Sequence, residues 1–209
     1  MLEIISHRGL WTSQNKMNSI QSFTEALEHG FGVETDIRDF GSEVVISHDL
    51  PDTNSIKLSD FFEIYTSRNF KGNLALNIKS NGLAPKLKKL IETYDIKNYF
   101  FFDMSIPDHI QYLENNLCTY SRISEYENNT ILNNKSNGIW LDSFSINSYK
   151  EEYFYELVSK YGSVCVVSDE LHGRSHIPLW EKIRSVSDII ESNLQICTDF
   201  PIEAQGFFT

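Results

Sequence analysis

Two histidines, an arginine and an alternating pair of carboxylates fall within the opening quarter of the chain, and together they suit acid–base chemistry at a phosphate. They occur in Ser6-His7-Arg8-Gly9, in Gly32-Val33-Glu34-Thr35-Asp36-Ile37-Arg38 and in Ser47-His48-Asp49, each at or near the end of a strand-like apolar run. Side chains two apart on a strand share a face, so Glu34 and Asp36 can converge on one point. Two hard oxygen ligands so placed suit Mg²⁺ or Ca²⁺. His7 and His48 can exchange protons near neutral pH and can supply one acid and one base. Arg8 carries the planar fork that matches a phosphate. Each residue alone also fits a plain structural role, a satisfied strand-end histidine or a solvated edge. Their joint occurrence in one short span favours a reaction centre.

The elements that must position these groups alternate along the chain, apolar strand-like runs with helical patterns, as in a parallel sheet covered by helices. The runs are Glu3-Ser6, Gly32-Ile37, Glu43-Ser47, Asn73-Ile78, Tyr99-Met104, Cys118-Ile123, Gly138-Leu141, Ser163-Ser168 and Leu194-Thr198. Glu43-Ser47 follows its predecessor so closely that it reads as a hairpin partner, which leaves eight. Eight strands with intervening helices predict an α/β fold, a single closed parallel (β/α) TIM-type barrel over residues 1–209, somewhat below the usual length. Helical spacing predicts helices over Ser19–His29, Leu58–Tyr65, Pro85–Tyr94, Pro107–Asn116, Tyr126–Leu132, Ser148–Tyr161 and Leu179–Ile190. In such a barrel catalytic groups gather at the C-terminal strand ends, where the residues above fall. Asp103, Glu125, Asp142 and Glu170 sit just past later strands, as helix caps or as substrate contacts.

His7-Arg8-Gly9, then Asn18-Ser19 with Ser22-Phe23 and Ala26, Glu34-Thr35-Asp36, Val45-Ile46-Ser47-His48-Asp49, Leu76-Asn77-Ile78-Lys79 and Thr198-Asp199-Phe200-Pro201 come in one order. In that order the chain resembles the glycerophosphodiester phosphodiesterase family from first strand to last. The resemblance implies His7 and His48 as the catalytic pair, Arg8 and Lys79 as phosphate contacts, and Glu34, Asp36 and Asn77 as ligands of a divalent Mg or Ca ion. It also implies an in-line reaction in which a neighbouring glycerol hydroxyl attacks first and water opens the cyclic product. Which imidazole is acid and which is base stays open. Asp49 either supports His48 or caps the following turn.

Three departures from the family pattern stand out. Asn77 occupies the place of a usual glutamate, a change that removes one negative charge and predicts weaker metal binding or preference for a different ion, a shifted reaction, or a loss of activity. Leu50–Gly72 is a shortened covering segment, consistent with a reduced cap and an open cleft. The usual Glu-Asn-Thr appears as Met17-Asn18-Ser19. The expected substrate is a small-molecule or glycan phosphodiester cleaved to an alcohol and glycerol phosphate. A cyclising lyase of the same fold and a non-catalytic phospho-ligand-binding barrel are the alternatives, the last disfavoured by retention of both proton carriers.

Composition limits the rest. A net charge of -11 argues against nucleic acid or an anionic membrane as partner through a broad basic surface. No apolar run reaches the length of a membrane span, and the expectation is a soluble cytoplasmic protein without stable membrane insertion. Cys118, Cys165 and Cys197 lack paired spacing and read as buried thiols rather than disulfides or a zinc site. Trp11, Phe40, Trp140 and Trp180 could line a sugar-binding rim, although core packing suits most of them better.

Overall fold

Strands and helices alternate through the computed structural model, which describes residues 2–12, 16–128, 130–145, 149–190 and 193–209, with side chains except at 187–190. In chain order these are β1 (Glu3–His7), α1 (Ile20–Glu28), β2 (Gly32–Phe40), β3 (Glu43–Ile46), β4 (Ile56–Lys57), α2 (Leu58–Ser67), β5 (Leu74–Ile78), α3 (Ala84–Thr93), β6 (Tyr99–Phe102) and α4 (Ile106–Glu114). There follow β7 (Tyr120–Ile123), β8 (Gly138–Leu141), α5 (Glu151–Tyr161), β9 (Ser163–Val167), α6 (Ile177–Ile190), β10 (Leu194–Thr198) and α7 (Pro201–Phe208), with 3₁₀ turns at Ile131–Asn134 and Asp169–His172.

The chain packs as two compact units, His7–Thr119 and the combination of Met1–Ser6 with Tyr120–Thr209. Within the first, β2 pairs in parallel with β5 and β5 with β6, while β3 lies antiparallel to β2 and β4 antiparallel to β3. Within the second, β1, β10, β9, β8 and β7 pair in parallel in that spatial order. Setting the hairpin strands β3 and β4 aside, every strand pairs in parallel within its unit. Strands β5, β8 and β10 are buried along their whole length, as parallel strands covered on both faces must be.

Local sequence sets the helix bounds. Ser19 caps α1, accepting from the Ser22 amide while the Ser22 hydroxyl accepts from the Ser19 amide. The helix closes at His29, and Gly30 leaves it with a φ of +82°, a conformation only glycine adopts without steric cost. Prolines in the first turn open α3, α4 and α7.

The structure departs from expectation in three places. No α-helix forms over Tyr126–Leu132. The Ser124 hydroxyl accepts instead from the Tyr126 and Glu127 amides, a serine turn that competes with helix, and only the 3₁₀ turn at Ile131–Asn134 follows; Asn129 lies outside the described residues. The helix expected from Ser148 begins at Glu151, and Ser148 itself lies outside the described residues. The short strand β4 and the final helix α7 had no periodic signal long enough to read. Trp140 and Trp180 are core residues, the placement expected for most of these aromatics, with Trp180 packed on Phe207 and Phe208 of α7.

In the unit that carries the early motifs, Phe23 packs on Phe61 with ring centroids 4.6 Å apart, and Phe101 meets Tyr112 edge-on at 5.2 Å. Phe101 is fully buried on β6. Phe101→Ala is expected to destabilise the protein by about 3–5 kcal/mol, read from the midpoint of urea unfolding.

Candidate active site

The β2 strand supplies the acidic face. Glu34 and Asp36 are two apart, and they are 2% and 1% exposed. Asp36 lies in register with Asn77 of the parallel neighbour β5, which puts all three side chains on one face of that strand pair.

Positive charge reaches this face from two other segments. Arg8 Nε stands 3.2 Å from Asp36 Oδ2, and Lys79 Nζ stands 3.4 Å from Asp36 Oδ1. His7 Nε2 lies 3.8 Å from Glu34 Oε2. Six of the seven residues singled out from sequence, namely His7, Arg8, Glu34, Asp36, Asn77 and Lys79, are thus brought to one place. The seventh, His48, is tied in through its backbone. Ser47 N donates to the Asp36 carbonyl (3.0 Å), which fixes the end of β3 beside β2. The His48 ring is half-exposed, and its Nδ1 meets Asp49 Oδ1 at 2.9 Å. Of the two roles open to Asp49, its side chain takes the imidazole contact.

The turn after β1 is tightly built. Arg8 has a φ of +57° and Asn18 a φ of +51°, left-handed conformations that cost an L-residue about 1–2 kcal/mol. Arg8 N donates to the Glu34 carbonyl (3.0 Å), and Asn18 N donates to the Arg8 carbonyl (3.0 Å). Gly9 has a φ of +84°, and a Cβ there would sit 2.6 Å from Ser22 Oγ and 2.7 Å from the Ser22 carbonyl carbon. Only glycine closes this turn against α1.

Sequence reading left two polar residues without a role at this site. Asn18 donates from Nδ2 to Asp36 Oδ2 (2.9 Å) and accepts from Thr35 Oγ1 (2.8 Å). Its place in Met17-Asn18-Ser19 was the available signal. Arg38 reaches main-chain carbonyls at His48 and Lys79. Its place two residues beyond Asp36 on β2 was the corresponding signal.

The carboxylates beyond Thr119 are engaged elsewhere, in the other unit. Glu125 accepts from the Phe144 and Ser145 amides, Asp142 from the Ser143 amide and His172, and Asp169 pairs with Arg174 at 2.6 Å. Glu170 accepts from the Ser168 and Thr198 hydroxyls and the Asp199 amide. Glu125, Asp142 and Glu170 therefore hold loops rather than cap the next helix as expected. Asp103 sits past β6 with a φ of +66°.

Burial and the neighbouring Asp36 charge push the Glu34 carboxyl up from 4.5 to about 7, against opposing pulls from His7, Arg8 and Lys79. Glu34 Oε2, Asp36 Oδ1 and Asn77 Oδ1 are buried acceptors with no hydrogen-bond partner among the described residues. An unsatisfied buried acceptor costs about 1–3 kcal/mol, and three hard oxygens on one face fit Mg²⁺ or Ca²⁺. The fit uses an amide at the third position. Among the described residues no three His, Cys, Asp or Glu side chains gather as a metal site.

Solved structures similar to the chain share this architecture. A Galdieria sulphuraria protein assigned as a glycerophosphodiester phosphodiesterase matches with a TM-score of 0.74 at 17% identity, over 100% of this chain and 98% of that one. A glycerophosphodiester phosphodiesterase from Agrobacterium tumefaciens matches with a TM-score of 0.67 at 14% identity, over 100% of this chain and 99% of that one. This chain has their fold. It is an α/β fold rich in parallel strands, the class expected from sequence. A tryptophan synthase α-subunit from Pyrococcus furiosus is less similar, with a TM-score of 0.57 at 14% identity over 99% of this chain and 94% of that one. No protein-family model and no curated protein matches the sequence. Among the described residues no helix is long and apolar enough to cross a membrane.

Because the Glu34 carboxyl holds its proton more tightly folded than unfolded, folding takes up a proton between its two pKa values. The native state therefore loses stability as pH rises from 4.5 to about 7. Relative to Glu34→Gln, the metal-free protein should lose about 3 kcal/mol across that window, measured by urea unfolding. Added Mg²⁺ or Ca²⁺ should narrow the gap, since a cation favours the charged carboxylate.

Proposed function

We propose that the chain is a phosphoric diester hydrolase that cleaves a glycerophosphodiester-like substrate to an alcohol and glycerol phosphate. The observation that carries this reading is the convergence of Arg8 and Lys79 on Asp36, beside His7 and three buried acceptor oxygens that make no hydrogen bond among the described residues, in a fold shared with glycerophosphodiester phosphodiesterases.

A phosphodiester resists attack because its anion repels nucleophiles and its alkoxide leaves poorly. Arg8 and Lys79 answer the first difficulty. Both already face a buried anion, and a phosphate entering this face would find a guanidinium fork and an ammonium held where its charge develops. His7 and His48 answer the second: one takes the proton of the attacking oxygen, the P–O bond to the alcohol breaks, and the other protonates the departing oxygen. Asp49, on His48 Nδ1, holds the proton at that nitrogen and leaves Nε2 for the reaction. Glu34, Asp36 and Asn77 would hold the divalent ion, which when bound polarises the phosphoryl oxygens and lowers the pKa of an oxygen bound to it. Glu34 and Asp36 supply its anionic ligands and Asn77 a neutral one.

The choice between hydrolysis and cyclisation turns on the product. Phosphorus NMR of reactions on a panel of glycerophosphodiesters is expected to end in glycerol phosphate; accumulation of a stable cyclic phosphate would reassign the chain as a lyase. His7→Ala and His48→Ala should each lower kcat by about 10²–10⁴-fold with the fold retained by circular dichroism. If both variants turn over substrate like the parent, the assigned chemistry is wrong. Asn77→Glu should tighten Mg²⁺ or Ca²⁺ binding in calorimetry.

A further inference from the structure

We propose that Arg38 is a positioning residue of this site, clamping the chain at His48 and Lys79 so that the imidazole and the ammonium are presented together. The inference rests on the phosphodiesterase reading above. It concerns a residue that touches neither the acidic pair nor the histidine ring.

Arg38 follows Glu34 and Asp36 at the same two-residue interval and shares their face of β2, at its outer end. Its Nε and one terminal nitrogen both donate to the His48 carbonyl, at 3.1 and 3.0 Å. The other terminal nitrogen donates to the Lys79 carbonyl at 3.3 Å. Lys79 N in turn donates to the Ile37 carbonyl (2.9 Å), so the end of β5 is held from both sides of the Arg38 residue. One planar cation thus links the strand ends that carry the acidic face, one proton carrier and one phosphate contact. Without it, His48 stands on an exposed turn whose ties among the described residues include the Ser47 contacts to the Asp36 and Asp49 carbonyls and the His48 Nδ1 contact to Asp49 Oδ1.

The chemistry of the side chain matters. A guanidinium presents donors along two edges at fixed angles, whereas an ammonium on a flexible stem cannot span two carbonyls in a fixed plane. Arg38 has no carboxylate within ion-pair distance among the described residues, so its fork is spent on the main chain. A small displacement of a catalytic group is enough to cost about 10²-fold in rate.

Arg38→Met and Arg38→Lys test the clamp, in the full chain, by three readouts. On a glycerophosphodiester that the wild type cleaves, kcat should fall about 100-fold in both variants with KM changed by less than about 3-fold. The loss in the Arg38→Met/His48→Ala double variant should fall short of the product of the two single losses, because the arginine acts in part through that histidine. Amide hydrogen exchange at residues 47–49 should quicken in both variants while the rest of the β2–β5 pair keeps its protection. Wild-type kcat in Arg38→Lys, multiplicative losses in the double variant, or unchanged exchange at 47–49 would each overturn the proposal. Failure of the wild type on every glycerophosphodiester would instead refute the hydrolase reading, and the exchange measurement would still decide whether Arg38 clamps the two ends.

Discussion

Asp36 carries a carboxylate that is 1% exposed, and a charge so far from water costs several kcal/mol unless it is matched. Arg8, Lys79 and Asn18 match it from three separate segments of the chain, two with charge and one with an amide hydrogen bond. The turn after β1, the approach to α1 and the end of β5 are all brought to β2 by this one group. Buried ion pairs of this kind are poor devices for stability, since apolar residues of similar volume would hold the strands as well. Their retention makes sense where the cations have a second task. Under the proposed function, a phosphate would offer the same two positive groups a second anionic partner.

The same economy shapes the backbone. Arg8 and Asn18 both take left-handed conformations, and Gly9 between them lies so close to Ser22 that no Cβ fits. Strain of this sort persists where surrounding structure over-determines it, and here the determinants are visible. Arg8 N is held by the Glu34 carbonyl, Asn18 N by the Arg8 carbonyl, Leu10 N by the Ser22 carbonyl, and the Ser22 hydroxyl donates to the Arg8 carbonyl. The capping of α1 and the aim of the Arg8 side chain are therefore one construction. A change at Ser22 acts on both.

How much of this was legible in the amino-acid sequence depended on whether the controlling interaction was local. The strands were legible because buried parallel strands leave uninterrupted apolar runs, and the β2–β3 hairpin because Gly41 and Ser42 leave too little chain for a crossover. The acidic face followed from the two-residue interval between Glu34 and Asp36. Helix over Tyr126–Leu132 was misread because apolar spacing there was weak and the Ser124 hydroxyl captured the backbone amides first. The roles of Asn18 and Arg38 were hidden because their partners lie across the fold: Asn18 to Asp36, Arg38 to His48 and Lys79. Glu125, Asp142 and Glu170 illustrate the converse. A carboxylate past a strand looks the same in sequence whether it awaits a ligand or ties down a loop, and the hydrogen bonds alone assign these three to loops.

Asn77 is the residue where electrostatics constrains the reading most. It lies opposite Asp36 in register, 8% exposed, beside a Glu34 whose carboxyl is already driven up to about 7 by burial and by Asp36. A third carboxylate at that position would add another negative charge to the same buried face, raising the neighbouring pKa values further and leaving the cation-free site strained by repulsion. With the amide, two acidic groups stand against two cations and the set approaches neutrality on its own. The side chain still offers an oxygen to a hard cation, but without charge. Asn77 therefore keeps this buried face near charge balance, where a third carboxylate would not.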